Sequence, residues 1–199
     1  MLRMLIGALC VAVVLWAWST LFYVILPLPY YTMSQTADDV AAGEALLEHF
    51  PETGTYILPG RFSGKDVRSK MRNEGPVATI YFTREGAPEA SAIKILIGTF
   101  NSVVIGLLIG ASMLLLNRHT TRYWSHVAIG STFGIAYTAY PRFADIIWSD
   151  FPPGYQLMMI FSDGFSWILA VMVMAWFMCP RPEKIGEKIG EKIGDSDLN

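Results

Sequence analysis

Residues 95–117 read ILIGTFNSVVIGLLIGASMLLLN, a stretch without a single charge. At 1.5 Å per helical residue it is long enough to cross a hydrocarbon core about 30 Å thick, which takes about 20 residues. The segment is apolar on every side, whereas a strand of a membrane barrel would alternate apolar and polar residues over about ten positions. It therefore reads as a transmembrane helix. Within it Gly98, Ser102, Gly106 and Gly110 recur at every fourth position and make one smooth face, the device that lets helix backbones approach closely in lipid.

Outward from this run the same composition returns three times. Met4–Ala37 and Tyr123–Pro141 carry no charge, and Phe151–Pro180 carries only Asp163. The pattern predicts an α-helical membrane protein with four transmembrane helices at 5–26, 95–116, 123–141 and 157–178. Overall composition agrees: 53% of the 199 residues are hydrophobic and 16% charged, against about 45–50% and about 25% in soluble domains. The N-terminal run continues through Leu28, too long for the apolar region of a cleaved signal peptide, and is expected to be retained. Net charge is -2 with no basic cluster, which excludes the electrostatic footprint of a nucleic-acid binder. The two cysteines, Cys10 and Cys179, lie within or at the end of apolar runs and form no disulfide framework.

Arg3, Arg118, Arg122, Arg181, Lys184, Lys188 and Lys192 would all fall on one side of a four-helix arrangement. The positive-inside rule then predicts a cytoplasmic N-terminus at 1–4, a cytoplasmic turn at 117–122 and a cytoplasmic tail at 179–199, in the inner membrane of a bacterium. Residues 27–94 and the loop 142–156 become extracytoplasmic. Tyr30, Tyr31, Tyr140, Trp148 and Tyr155 suit the outer interface, and Tyr123, Trp124 and Trp176 the inner one.

Segment 27–94 reads as a small α+β module. Thr36 with Asp38 and Asp39 opens a helix that Pro51 stops, and 55–58 and 77–82 read as short strands bounded by Gly and Pro, with the charged stretch 65–74 between them. So small a module holds only a marginal core and is expected to lean on the membrane, the helices or a second copy. The tail carries Glu-Lys-Ile-Gly three times over 183–194, where a glycine at every fourth position opposes helix, so disorder is expected.

Asp163 is the one charged residue inside the four proposed spans, and an intramembrane carboxylate marks a paired charge, a water-filled cavity or a function. Arg142 and Asp145 are its nearest plausible partners; a structural clasp between Asp163 and Arg142 is expected, over an interfacial position or an ion site. The small face of the second span, with Gly130 and Gly134 of the third, is expected to pack these two helices together, a homo-oligomer interface being the alternative. His126 and Asn101 read as interhelical hydrogen-bonding groups. The three histidines form no haem ligand pair, and the methionines of the last span scatter around the helix. No Gly-x-Ser-x-Gly, phosphate loop, His-Glu-x-x-His or Cys-x-x-Cys occurs. No catalytic, cofactor-binding or metal-binding residue is expected.

Three features carry a resemblance: Pro51-Glu52-Thr53-Gly54-Thr55-Tyr56-Ile57-Leu58-Pro59 after the first helix, Gly75-Pro76 ahead of a strand, and Asp163 followed by Trp167 in the last span. In these the chain resembles a group of small, uncharacterised bacterial four-pass membrane proteins with an external module after the first helix. It departs from them before the last helix, where Ile146–Phe151 keeps only Trp148 in place of a tryptophan-rich loop. The resemblance implies a fold and a bacterial inner membrane, and no reaction. The expected function is that of a non-catalytic accessory or scaffold protein binding another membrane protein, or a second copy, through its external module. The alternatives are an oligomeric transporter or channel component using Asp163, and a membrane sensor.

Overall fold

The structure is a computed structural model that describes residues 1–88 and 91–179; the Glu-Lys-Ile-Gly repeat lies outside the described residues. In chain order the elements are α1 (Leu2–Ser19), a π-helical turn (Thr20–Ile25), a 3-10 helix (Leu28–Thr32), α2 (Asp39–His49), β1 (Gly54–Leu58), α3 (Lys65–Glu74), β2 (Ala78–Phe82), α4 (Ala92–Leu116), α5 (Tyr123–Trp148) and α6 (Pro153–Met178).

The four long helices α1, α4, α5 and α6 form a bundle around α6, which packs on the other three. Its core is small and tight. Ala8 and Val11 of α1, Ile109 and Met113 of α4, Val127 of α5, and Ala170, Val171, Met174 and Ala175 of α6 are all buried. Met174 lies against Gly7, and Met4 against Gly110, while the Tyr123 hydroxyl donates to the Met172 carbonyl at 3.2 Å. These contacts gather the start of α1, the end of α4, the start of α5 and the end of α6 at one end of the bundle.

The number of helices long and apolar enough to cross a membrane differs from the sequence expectation and is corrected from four to three. Leu2–Ile25, Ala92–Leu116 and Pro153–Met178 are long and apolar enough to cross a membrane, which makes the chain a multi-pass membrane protein. α5 is as long as α6 but falls short in apolarity. The run 123–141 lacks charge, yet Ser125, His126, Ser131, Thr132 and Thr138 dilute it. The helix also continues through Pro141 to Trp148, adding Arg142 and Asp145. Absence of charge and presence of apolar surface are different properties, and a charge-free run need not be an apolar one. The expected loop at 142–156 shrinks accordingly to a turn between Trp148 and Pro153.

The helix pairing also differs. α4 and α5 are consecutive but scarcely touch. A Cβ on Gly106 would stand 2.8 Å from the Cα of Ala8, so the small face of α4 receives α1. A Cβ on Gly130 would meet Val171, and one on Gly134 would meet the Trp167 ring at 2.7 Å, so the small face of α5 receives α6. Gly98 has nothing within 4 Å of such a Cβ and lies beyond the packed part of the stripe.

The insertion between α1 and α4 mixes helix and strand. β1 and β2 pair antiparallel, with Tyr56 opposite Ile80. Asp38 caps α2, its carboxylate accepting from the N–H groups of Val40 and Ala41 at 2.9 and 3.0 Å. At the other end of α2 the Arg84 guanidinium donates to the carbonyls of Leu47 and Phe50 at 3.0 and 2.9 Å. Phe50 packs edge-on against Tyr56 and tilted against Phe82. The Thr53 hydroxyl accepts from the Arg84 N–H and donates to Glu85, and that hydrogen bond holds the Glu85 carboxyl below its ordinary range. The charged stretch 65–74 between the strands is α3. Its signals were Gly64 and Gly75 at its flanks and Val67 and Met71 four apart.

Candidate functional site

A cluster of charged and polar residues lies at the α5–α6 hairpin, away from the end that holds both Met4 and Met174. The turn after Trp148 is short, so the last turns of α5 lie beside the first turns of α6. α6 begins at Pro153, and Asp163 stands about 15 Å along it at 1.5 Å per residue. Arg142, six residues before the end of α5, reaches it: Nη2 is 3.2 Å from Asp163 Oδ2, with the two side chains 29% and 35% exposed. Nη1 of the same guanidinium donates to Gln156 Oε1 at 3.3 Å. The amide of Gln156 in turn makes a long contact of 3.5 Å to Asp145 Oδ2.

Gln156 is absent from the residues the sequence singled out, yet it is 2% exposed and joins Arg142 to Asp145. Its signal was available: it precedes Asp163 by seven residues, two helical turns, and so shares its face. A second residue missed is Trp18, whose indole N–H donates to the carbonyl and hydroxyl of Ser162, both at 3.3 Å. Its ring lies 4.4 Å from that of Phe165 and ties α1 to the same stretch of α6.

Because α4 and α5 do not close on each other, a cleft runs between them with α6 as its floor. Its polar half has a volume of about 910 Å³ and is lined by Asn101, Ser102, Arg142, Asp145, Asp163 and Ser166 among others. Its apolar half, about 770 Å³, is lined by residues such as Leu108, Met113, Ile129 and Phe133, with His126. The halves meet at Ile105, Tyr137 and Trp167. Asn101 and Asp163 thus share a cavity, while His126 stands about 24 Å from Arg142 along α5.

His126 is 0% exposed. Its Nδ1 is 3.0 Å from the Arg122 carbonyl, which can only accept, so Nδ1 carries a hydrogen. Its Nε2 has no hydrogen-bond partner among the described residues. In the polar half two serine hydroxyls are engaged: Ser166 donates to the Ser162 carbonyl at 2.8 Å and Ser102 to the Gly98 carbonyl at 3.0 Å. Neither has a histidine beside it to act as a base. Among the described residues no three His, Cys, Asp or Glu side chains come together as a metal-ligand set. Chemically the cluster offers one guanidinium, two carboxylates and an amide, an arrangement for holding charge and polar groups. Compared with protein-family models, curated proteins and solved structures, the chain matches none.

Proposed function

We propose that this is a non-catalytic accessory protein of the bacterial cytoplasmic membrane that binds another membrane protein through the extracytoplasmic insertion between α1 and α4. The observation that carries the proposal is the openness of that insertion. Its sheet has two strands, too few for independent stability without further packing. Neither α2 nor α3 has a buried residue, and Phe62 is 99% and Tyr81 75% exposed. Ile57 and Tyr81 stand on the uncovered face of the sheet, Ile57 opposite Thr79 and Tyr81 opposite Thr55. Apolar side chains on an under-packed module are what a partner covers.

The bundle end at which α1 begins and α6 ends carries Arg3, Arg118 and Arg122, and we assign it to the cytoplasm by the positive-inside rule. A transport role finds less support, because Arg142 neutralises Asp163 within the fold and His126 lies in the other half of the cleft.

Photo-crosslinking from positions 62 and 81 in native membranes tests the proposal. A discrete adduct with a second protein or a second copy is expected from both positions, and none from the bundle-surface control Leu115. Absence of any adduct from either position would remove the docking role.

A further inference from the structure

The cleft between α4 and α5 has an apolar half joined end to end to one that carries charged and polar groups, and the accessory role leaves it unused. Its apolar half is lined by residues such as Leu108, Ile129 and Phe133, and its polar half lies toward the hairpin end, where α5 and α6 turn. From Asn101 to Leu116 it extends about 22 Å along α4, comparable to an acyl chain that reaches past the bilayer midplane. The groups at the polar end decide which head group it takes. Arg142 spends two of its five N–H donors on Asp163 and Gln156, so the rest remain for an anionic oxygen. Asp145 is held only by the long 3.5 Å contact from Gln156 and keeps acceptor capacity for a cation. With two carboxylates against one guanidinium, the end has a net charge of −1, which favours an ammonium and disfavours a purely anionic head.

We propose that this cleft is a binding site for an aminophospholipid of the phosphatidylethanolamine class. The acyl chain lies along Leu108 and Phe133, the phosphate meets the free N–H groups of Arg142, and the primary ammonium meets Asp145. The site is distinct from the apolar face of the insertion, and neither reading depends on the other. A phosphatidylglycerol head would satisfy Arg142 but leave Asp145 without a partner, and a phosphatidylcholine head has no N–H to donate.

The test is native mass spectrometry of the full-length protein in detergent with equimolar phosphatidylethanolamine, phosphatidylglycerol and phosphatidylcholine of the same acyl chains. Retention of the ethanolamine lipid about tenfold above the glycerol lipid is expected, the ratio that one charge-assisted contact supplies. Asp145→Asn should bring the three lipids to equal retention, while Leu108→Trp, which fills the apolar half without touching the charges, should lower all three together. Asp145→Glu, which keeps the charge, should preserve the preference and decides the matter if the asparagine variant loses helical content by circular dichroism. Equal retention by the unmodified protein, or an unchanged preference in Asp145→Asn, would overturn the proposal.

Discussion

Arg142 is the residue on which the hairpin end depends, since one guanidinium serves both Asp163 and Gln156. Its removal leaves a carboxylate and an amide oxygen short of donors in a half-buried site, and loss of about 1–3 kcal/mol is expected for Arg142→Ala. Asp163→Asn keeps the shape and removes the charge. Both side chains keep about a third of their exposure, so solvent screens the pair and the coupling in a double-mutant cycle should be about 1 kcal/mol. Thermal unfolding of the two single variants and the double variant in one detergent measures it, and strictly additive losses would show that the two groups do not act together. Charge alone singled out these two residues in the sequence, because an isolated carboxylate in an apolar run is conspicuous. Gln156 was not conspicuous: an uncharged amide at a helix start looks like surface until its seven-residue spacing from Asp163 is set against the burial of that face.

At the scale of the element, the stripe of small residues on α4 was legible and its partner was not. Periodicity reports which face is smooth, but not which neighbouring helix lies against it, and the short connection between α4 and α5 suggested the wrong neighbour. Two positions of the stripe should respond differently to one methyl group. Gly106→Ala places that methyl 2.8 Å from the Ala8 Cα, a backbone atom that can move only if α1 moves. A cost of about 1–3 kcal/mol is expected. Gly98→Ala meets nothing and should cost nothing, gaining up to about 1 kcal/mol from alanine's better helix propensity. A thermal-stability series in detergent compares them, and equal costs would argue against α1 as the partner of this face. In the insertion the corresponding device is Arg84, which binds the carbonyls of Leu47 and Phe50 that end α2. Arg84→Ala should release the last turn of α2 at a cost of about 1–2 kcal/mol. Hydrogen exchange confined to 46–50 would show that release, whereas unchanged protection there would mean the turn holds without it.

For the whole molecule the question is how a bundle of four long helices presents three that are apolar enough to cross a membrane. α5 carries buried or half-buried polar groups along much of its length, among them His126, Thr138 and Arg142. The Arg142 guanidinium reaches Asp163 of α6, while His126 and Thr138 bond to carbonyls of their own chain and are kept from lipid by burial in the bundle. Polar groups paired or covered in this way cost little in the assembled bundle but count in full when the helix meets lipid alone, because a lone segment has no neighbour to pair or cover them. The sequence made the three apolar rods easy to read, since their composition is sufficient by itself. It could not show that α5 depends on α6, because that dependence resides in contacts between segments. The consequence is measurable by placing each segment separately in a host protein with a glycosylation reporter. Segments 2–25, 92–116 and 153–178 should insert as independent spans, and 123–148 should insert poorly unless 153–178 follows it. Efficient insertion of 123–148 by itself would show that its own apolar surface suffices, and that its packing on α6 serves folding and not the exclusion of polar groups from lipid.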